Sequence, residues 1–155
     1  MKIKGITHTG VTVRCIEDSI PFYRDFLGLK QLNEPNPPVY DPAEGAAVGV
    51  KDAINRCCLF QVAPGQILEL LQYTQPKSPV DKPLPQNALG AKHVSFTVDS
   101  IAEWAQKLKE KGIKYYADPK TCGPGINEGI KWMYFEDPDG IVFEFMELPK
   151  GFKNF

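Results

Sequence analysis

The sequence predicts an α+β fold of two tandem modules, each a strand, a helix and three further strands, and three observations carry that expectation. Segment 6–13, ITHTGVTV, returns in similar form at 91–98, AKHVSFTV. Each of these strand-like segments leads into an amphipathic helix that stops at a glycine, and each helix is followed by short apolar runs separated by turn signals. Self-similarity on this scale means that one supersecondary unit has been used twice.

The 155 residues suit a single domain, because a chain of this size buries roughly 68–70% of its unfolded surface and so builds a real core. Apolar residues at 43% and charged residues at 24% are ordinary for a globular protein. With 18 basic against 19 acidic side chains and a net charge of −1, there is no basic footprint for a phosphate backbone, and nucleic-acid binding is not expected. No apolar run approaches the roughly 20 residues of a membrane helix. The start, MKIKG, lacks the features of a secretory signal. A cytoplasmic protein without a membrane partner is therefore expected. The four cysteines, Cys15, Cys57, Cys58 and Cys122, show no C-x-x-C spacing and read as reduced thiols.

Taken in order, the first module spans 3–74 and the second 91–148, joined by a Pro-rich linker, 75–90. In the first helix Asp18 and Ser19 are expected as the cap with Pro21 in the opening turn, and Gly28 closes it. In the second, Asp99 and Ser100 precede the stripe Ile101, Trp104, Ala105 and Leu108, and Gly112 ends it. The remaining strands are expected at 47–50, 56–62 and 67–73, and again at 114–117, 131–135 and 141–147. Pro64-Gly65 and Asp137-Pro138-Asp139-Gly140 turn the last two strands of each set. The segment TCGPGINEGIK at 121–131 lacks the G-K-[ST] ending of a phosphate loop and reads as a mobile loop over the site. In the tail, Phe152 and Phe155 are apolar enough to dock on the body or on a twin subunit.

His8 and His93 are the only histidines, and they occupy the same position in the two repeats. The last strand of each module carries one carboxylate within an apolar run, Glu69 in ILELLQY and Glu144 in IVFEFMEL. A buried unpaired carboxylate is costly, so these two need a cation or another partner. Alternate residues of a strand face opposite sides. One side is uniformly apolar, with Val11, Val13, Leu68, Leu70, Val94, Phe96, Val98, Phe143 and Phe145, and it should receive the helices. The other carries the histidines and glutamates with Gly10, Thr12, Ile67, Leu71, Ser95, Thr97, Val142 and Met146, as a ligand-lined concavity would. Two imidazoles and two carboxylates, if the modules curl into a common trough, suit one divalent ion such as Zn, Ni, Co, Fe or Mn. Arg56 and Tyr73 are further candidates for substrate contact, Arg56 through a bidentate grip on a carboxylate. Trp132 and Tyr134 either line the mouth or pack at its rim.

With the histidine strand followed by SIPFYRDFLGL, the strand around Glu69, GAKHVSFTV and EDPDGIVFEFMEL, the chain resembles the vicinal oxygen chelate superfamily over 3–148. That group includes glyoxalase I, methylmalonyl-CoA epimerase, bleomycin-resistance proteins and extradiol dioxygenases. The resemblance implies a curved mixed sheet around a metal site with helices outside, and metal ligands at His8, Glu69, His93 and Glu144. It also implies a lyase or isomerase that moves a proton next to a carbonyl through a metal-chelated enediolate, with Glu144 as base ahead of Glu69. Thr12, Ser95, Thr97, Tyr73, Met146 and Arg56 would then contact the substrate. Glutathione is recognised in the lyases by an Arg after the first helix and an Asn beyond the first-module glutamate. Neither stands in GLKQLNEPNPP or ELLQYTQP, so a small carbonyl or carboxylate compound, or a thioester, is expected instead. The alternatives are an Fe(II) extradiol-type dioxygenase, whose iron needs only three of the four ligands, and a non-catalytic binding protein of the bleomycin-resistance kind. A homodimer is expected.

Overall fold

A computed structural model describes residues 1–153. The chain divides into two compact units, Met1–Asp81 and a second beginning at Lys82. Phe155, expected to dock with Phe152, lies outside the described residues, and Phe152 is half-buried.

The first unit runs β1 (His8–Thr12), α1 (Ile16–Ile20, continued as a π-helical turn over Pro21–Phe26), β2 (Lys30–Gln31), β3 (Val39–Tyr40), α2 (Pro42–Ala47), β4 (Ile54–Ala63) and β5 (Gln66–Gln75). Its sheet has the order β1-β5-β4-β2, with β3 also on β4, and β1 runs parallel to β5 while the other pairs are antiparallel. The second unit holds β6 (Val94–Thr97), α3 (Ile101–Glu110), β7 (Lys120–Thr121), β8 (Lys131–Glu136) and β9 (Val142–Glu147). Its sheet repeats the plan as β6-β9-β8-β7, again with the first strand parallel to the last. The second unit is thus a βαβββ module and the first is the same plan with β3 and α2 inserted between β2 and β4; in both, a parallel pair, β1–β5 or β6–β9, places a residue at the start of the module beside one near its end.

The predicted division of faces holds at most positions, although Val94 and Val98 are only half-buried and Val142, on the polar side, is buried. Val11, Val13, Leu68, Leu70, Phe96, Phe143 and Phe145 are all buried, with Ile16, Tyr23, Ile101 and Leu108 of the helices also in the core. In the second unit Phe135 stacks on Phe145 at 4.2 Å, and Phe96 stacks on Phe143 at 5.6 Å. The α3 cap is as expected, with Ser100 Oγ accepting from the Glu103 backbone N–H at 3.3 Å. Gly28 and Gly112 end their helices at φ of +77° and +63°, the left-handed region that glycine enters without strain.

Three local expectations are corrected. The first helix begins at Ile16, so Asp18 and Ser19 lie inside its first turn and are not its cap. Ser19 instead turns its hydroxyl back to the Cys15 carbonyl at 2.9 Å. Pro21 stands mid-helix, where it offers no N–H, and the chain passes into the wider turn in which Leu27 N–H reaches Phe22 O at 2.9 Å. The strand expected at 47–50 is absent. Asp41 accepts from Ala43 N–H at 2.8 Å and starts α2, which ends just before Gly49 at φ +72°. Residues 114–117 form only a bridge, Tyr115 to Phe135, flanked by Tyr116 N–H to Tyr134 O and Glu136 N–H to Lys114 O. The segment 121–131 is a loop between the short strand β7 and β8, closed at its base by Cys122 N–H to Ile130 O at 2.8 Å and Gly129 N–H to Cys122 O at 3.1 Å.

Candidate metal centre

In the first unit the parallel register sets Gly10 of β1 beside Glu69 of β5, with His8 two residues earlier on the same face. The antiparallel register then sets Leu59 of β4 on the other side of Glu69. His8 Nε2 comes to 3.5 Å from Glu69 Oε2. The other ring nitrogen, Nδ1, lies 3.1 Å from the Thr7 hydroxyl. Holding one imidazole nitrogen aims the other, a device that recurs where histidine serves as a ligand.

The second unit repeats the geometry. Ser95 of β6 lies beside Glu144 of β9, and Tyr134 of β8 lies on its far side. His93 Nε2 is 3.5 Å from Glu144 Oε2. The Tyr134 hydroxyl is also 3.5 Å from His93 Nε2, with the two rings edge to face at 5.1 Å. Burial, together with the charge and hydrogen bonding of Glu144, raises the Tyr134 phenol above its ordinary value.

Two ligands about 2.0–2.2 Å from one ion stand roughly 3–3.5 Å apart. Each His–Glu pair therefore has the spacing of two neighbouring ligand positions, and its nitrogen and oxygen donors suit a borderline dication. Among the described residues no group of three His, Cys, Asp or Glu side chains is gathered for an ion, so within either unit the donors come as a pair.

The remaining predicted site residues divide between the two faces. Thr12 and Tyr73 share the face of Glu69, with Thr12 exposed and Tyr73 half-buried. Thr97 and Met146 are cross-strand partners on the face of Glu144, next to Trp132. Arg56 is not brought to that face. It pairs with Gln72 in the row of Cys58 and Phe60, on the helix side, where its guanidinium meets Glu17 at 2.5 Å and the Asn36 carbonyl at 2.9 Å. Two partners of the histidines escaped the sequence reading. Thr7 gives no signal beyond standing next to His8, and Tyr134 is expected either to line the mouth or to pack at its rim; its place opposite Glu144 needs the register of β8 on β9.

Comparison with known proteins agrees with this architecture. The model of the Glyoxalase/Bleomycin resistance protein/Dioxygenase superfamily matches residues 5–145, and the chain belongs to that family. It is 26% identical to the 2-epi-5-epi-valiolone epimerase of Actinomyces sp over 95% of this chain and 81% of that protein. It is 28% identical to the mitochondrial methylmalonyl-CoA epimerase of Mus musculus over 92% of this chain and 72% of that protein. A glyoxalase family protein from Bacillus cereus shares the fold at a TM-score of 0.77 and 21% identity, covering 96% of this chain and 97% of the other.

Proposed function

We propose that this protein is a divalent-metal-dependent isomerase or lyase that moves a proton next to a carbonyl group of a small carbonyl or carboxylate substrate. The observation that carries this reading is the repeated pair, His8 with Glu69 and His93 with Glu144, each at 3.5 Å on the polar face of its own sheet. The similarity to two epimerases over more than nine-tenths of the chain supports it.

His8 with Glu69, and His93 with Glu144, would each offer one nitrogen and one oxygen donor to a divalent ion. A bound dication would supply positive charge opposite the carbonyl oxygen on which negative charge grows as the proton leaves. Thr7 and Tyr134 orient the imidazoles. One carboxylate oxygen accepts the α-proton and returns it, to the same carbon in an epimerisation or to its neighbour in an isomerisation. Thr12, Ser95 and Thr97 supply hydroxyls, and Tyr73, Trp132 and Met146 supply apolar surface, on the faces the substrate would meet.

The test is metal analysis of the purified protein, followed by proton NMR in D₂O on a panel of α-hydroxy and α-branched carbonyl compounds. The expected result is one tightly held divalent ion and α-proton exchange in at least one compound that stops when the ion is stripped. A protein that binds no divalent ion at micromolar concentration would overturn the proposal.

A further inference from the structure

The two units share the histidine, the glutamate and a threonine, since Thr12 and Thr97 each stand four residues after their histidine. What they do not share lies beside these groups. In the second unit the register aligns Thr97, Met146, Trp132 and Lys120 across β6, β9, β8 and β7, on the face that carries Glu144. Trp132 and Met146 are half-buried, and the Trp132 ring meets that of Tyr134 at 5.5 Å with 66° between their planes. Lys120 is exposed, and its ammonium has no ion-pair or hydrogen-bond partner among the described residues. The matching row of the first unit is Thr12, Leu71 and Cys57. The place of Lys120 there is taken by Asn36, whose side-chain oxygen accepts from the Cys57 backbone N–H. That row holds neither an aromatic ring nor a cation.

Parts present in both halves of a duplication serve a task common to both, and parts present in one half alone are free to set what the molecule selects. The phenylalanines of the second unit, Phe96, Phe135, Phe143 and Phe145, pack its core on the helix side. Trp132 lies on the opposite face and keeps ring surface accessible beside the thioether of Met146. Such a pair receives a flat π-system well, because aromatic rings pack offset or edge to face and sulfur sits favourably at a ring edge. An ammonium at the end of the row attracts an anion. One cation matches the single charge of a carboxylate, and no second cation stands in the row for a phosphate dianion. Neighbouring strands are about 4.8 Å apart, so Lys120 is two strand spacings from β9, which carries Glu144 and Met146. That interval suits one planar ring with a carbonyl at the Glu144 end and a carboxylate at the Lys120 end. Resting on the reading above for the reaction, we propose that the second unit selects a planar conjugated carbonyl compound with a carboxylate across the ring, Trp132 and Met146 receiving the ring and Lys120 pairing with the carboxylate.

The test follows the indole N–H resonances of Trp104 and Trp132, the two tryptophans of the chain, in the ¹⁵N-labelled full chain stripped of metal with EDTA. Trp104→Phe assigns them. Three compounds are titrated: 4-acetylbenzoate, acetophenone, which lacks the carboxylate, and trans-4-acetylcyclohexanecarboxylate, which lacks the flat ring. 4-Acetylbenzoate is expected to shift Trp132 and leave Trp104 in place. It should bind about fivefold tighter than either analogue, the scale of one exposed ion pair or one aromatic contact. Affinities of the variants are read from the ligand's own proton lines. Lys120→Ala should remove the advantage over acetophenone while acetophenone itself binds as before. Trp132→Leu should remove the advantage over the saturated ring, a split that general loosening of the sheet would not produce. Equal affinity for the three compounds, a shift confined to Trp104, or an equal loss of all three in Lys120→Ala overturns the inference, and the Lys120 comparison stands even if Trp132→Leu fails to fold. A wild type that shows this selectivity yet binds no divalent ion supports the binding inference and counts against the reaction alone, whereas an ion bound without the selectivity overturns the inference and leaves the reaction.

Discussion

His8 of β1 and Glu69 of β5, 61 residues apart in sequence, meet with Nε2 and Oε2 3.5 Å apart because the first and last strands of the module run parallel and adjacent. His93 and Glu144 repeat the relationship across 51 residues. On the reading that each pair holds a divalent ion, each histidine is a ligand in its own right. His8→Ala and His93→Ala are then each expected to weaken zinc by at least about tenfold, or about 1.4 kcal/mol. Competition with a chromophoric chelator measures this. Wild-type affinity in either variant would remove that histidine from the site.

Gly10 tests the space around Glu69. A Cβ there would lie 3.4 Å from Leu71 Cδ1 and 3.7 Å from Glu69 Oε2, ordinary contacts that Gly10→Ala should tolerate. The branched side chain of Gly10→Val has no such room and is expected to displace the carboxylate and lower zinc affinity several-fold, while the melting temperature stays near that of Gly10→Ala. Zinc titration of the two variants side by side decides this, and equal affinities would show that Glu69 is not crowded from that side.

The core of the second unit sets the position of Glu144 through its sequence neighbours. Phe143 is fully buried and stacks on Phe96 at 5.6 Å and on Phe135 at 5.8 Å. Phe143→Ala is expected to cost about 3–5 kcal/mol, the range for a large buried aromatic, measured by urea unfolding. A cost below about 1 kcal/mol would mean that the strand carrying Glu144 is held by something other than this stack.

Much of this was legible in the sequence because the repeat and the strand alternation are strong, local signals. Both histidines and both glutamates follow from them, as does the burial of Leu68, Leu70, Phe143 and Phe145 opposite the polar face. What the sequence did not yield depends on register between distant strands. That Tyr134 stands opposite Glu144, and Leu59 opposite Glu69, is fixed only when β8 pairs with β9 and β4 with β5. The first helix misled for a different reason: Pro21 resembles a first-turn proline, but Ile16 is already helical and the chain absorbs the missing N–H in a π turn.

Arg56 shows the same limit, since parity alone could not reveal which face β4 turns to the helices. Its guanidinium lies 2.5 Å from Glu17 of α1, joining the helix to the sheet. Arg56 is the largest cause of the lowering of Glu17 below its ordinary value of 4.5. A carboxyl whose folded-state value is depressed contributes stability above its unfolded value and loses it as the pH falls through the folded one. The pair should therefore help near neutrality and fade below about pH 4.5. Because the Glu17 side chain is 51% exposed, the contribution is small, about 0.5–1 kcal/mol at most. Glu17→Gln is expected to melt a few degrees below wild type at pH 7, with the gap narrowing as the pH falls below 4.5 and zinc affinity unchanged. A gap that stays constant as the pH falls would mean that the substitution acts through packing of α1, and a loss of zinc affinity would return this end of β4 to the site.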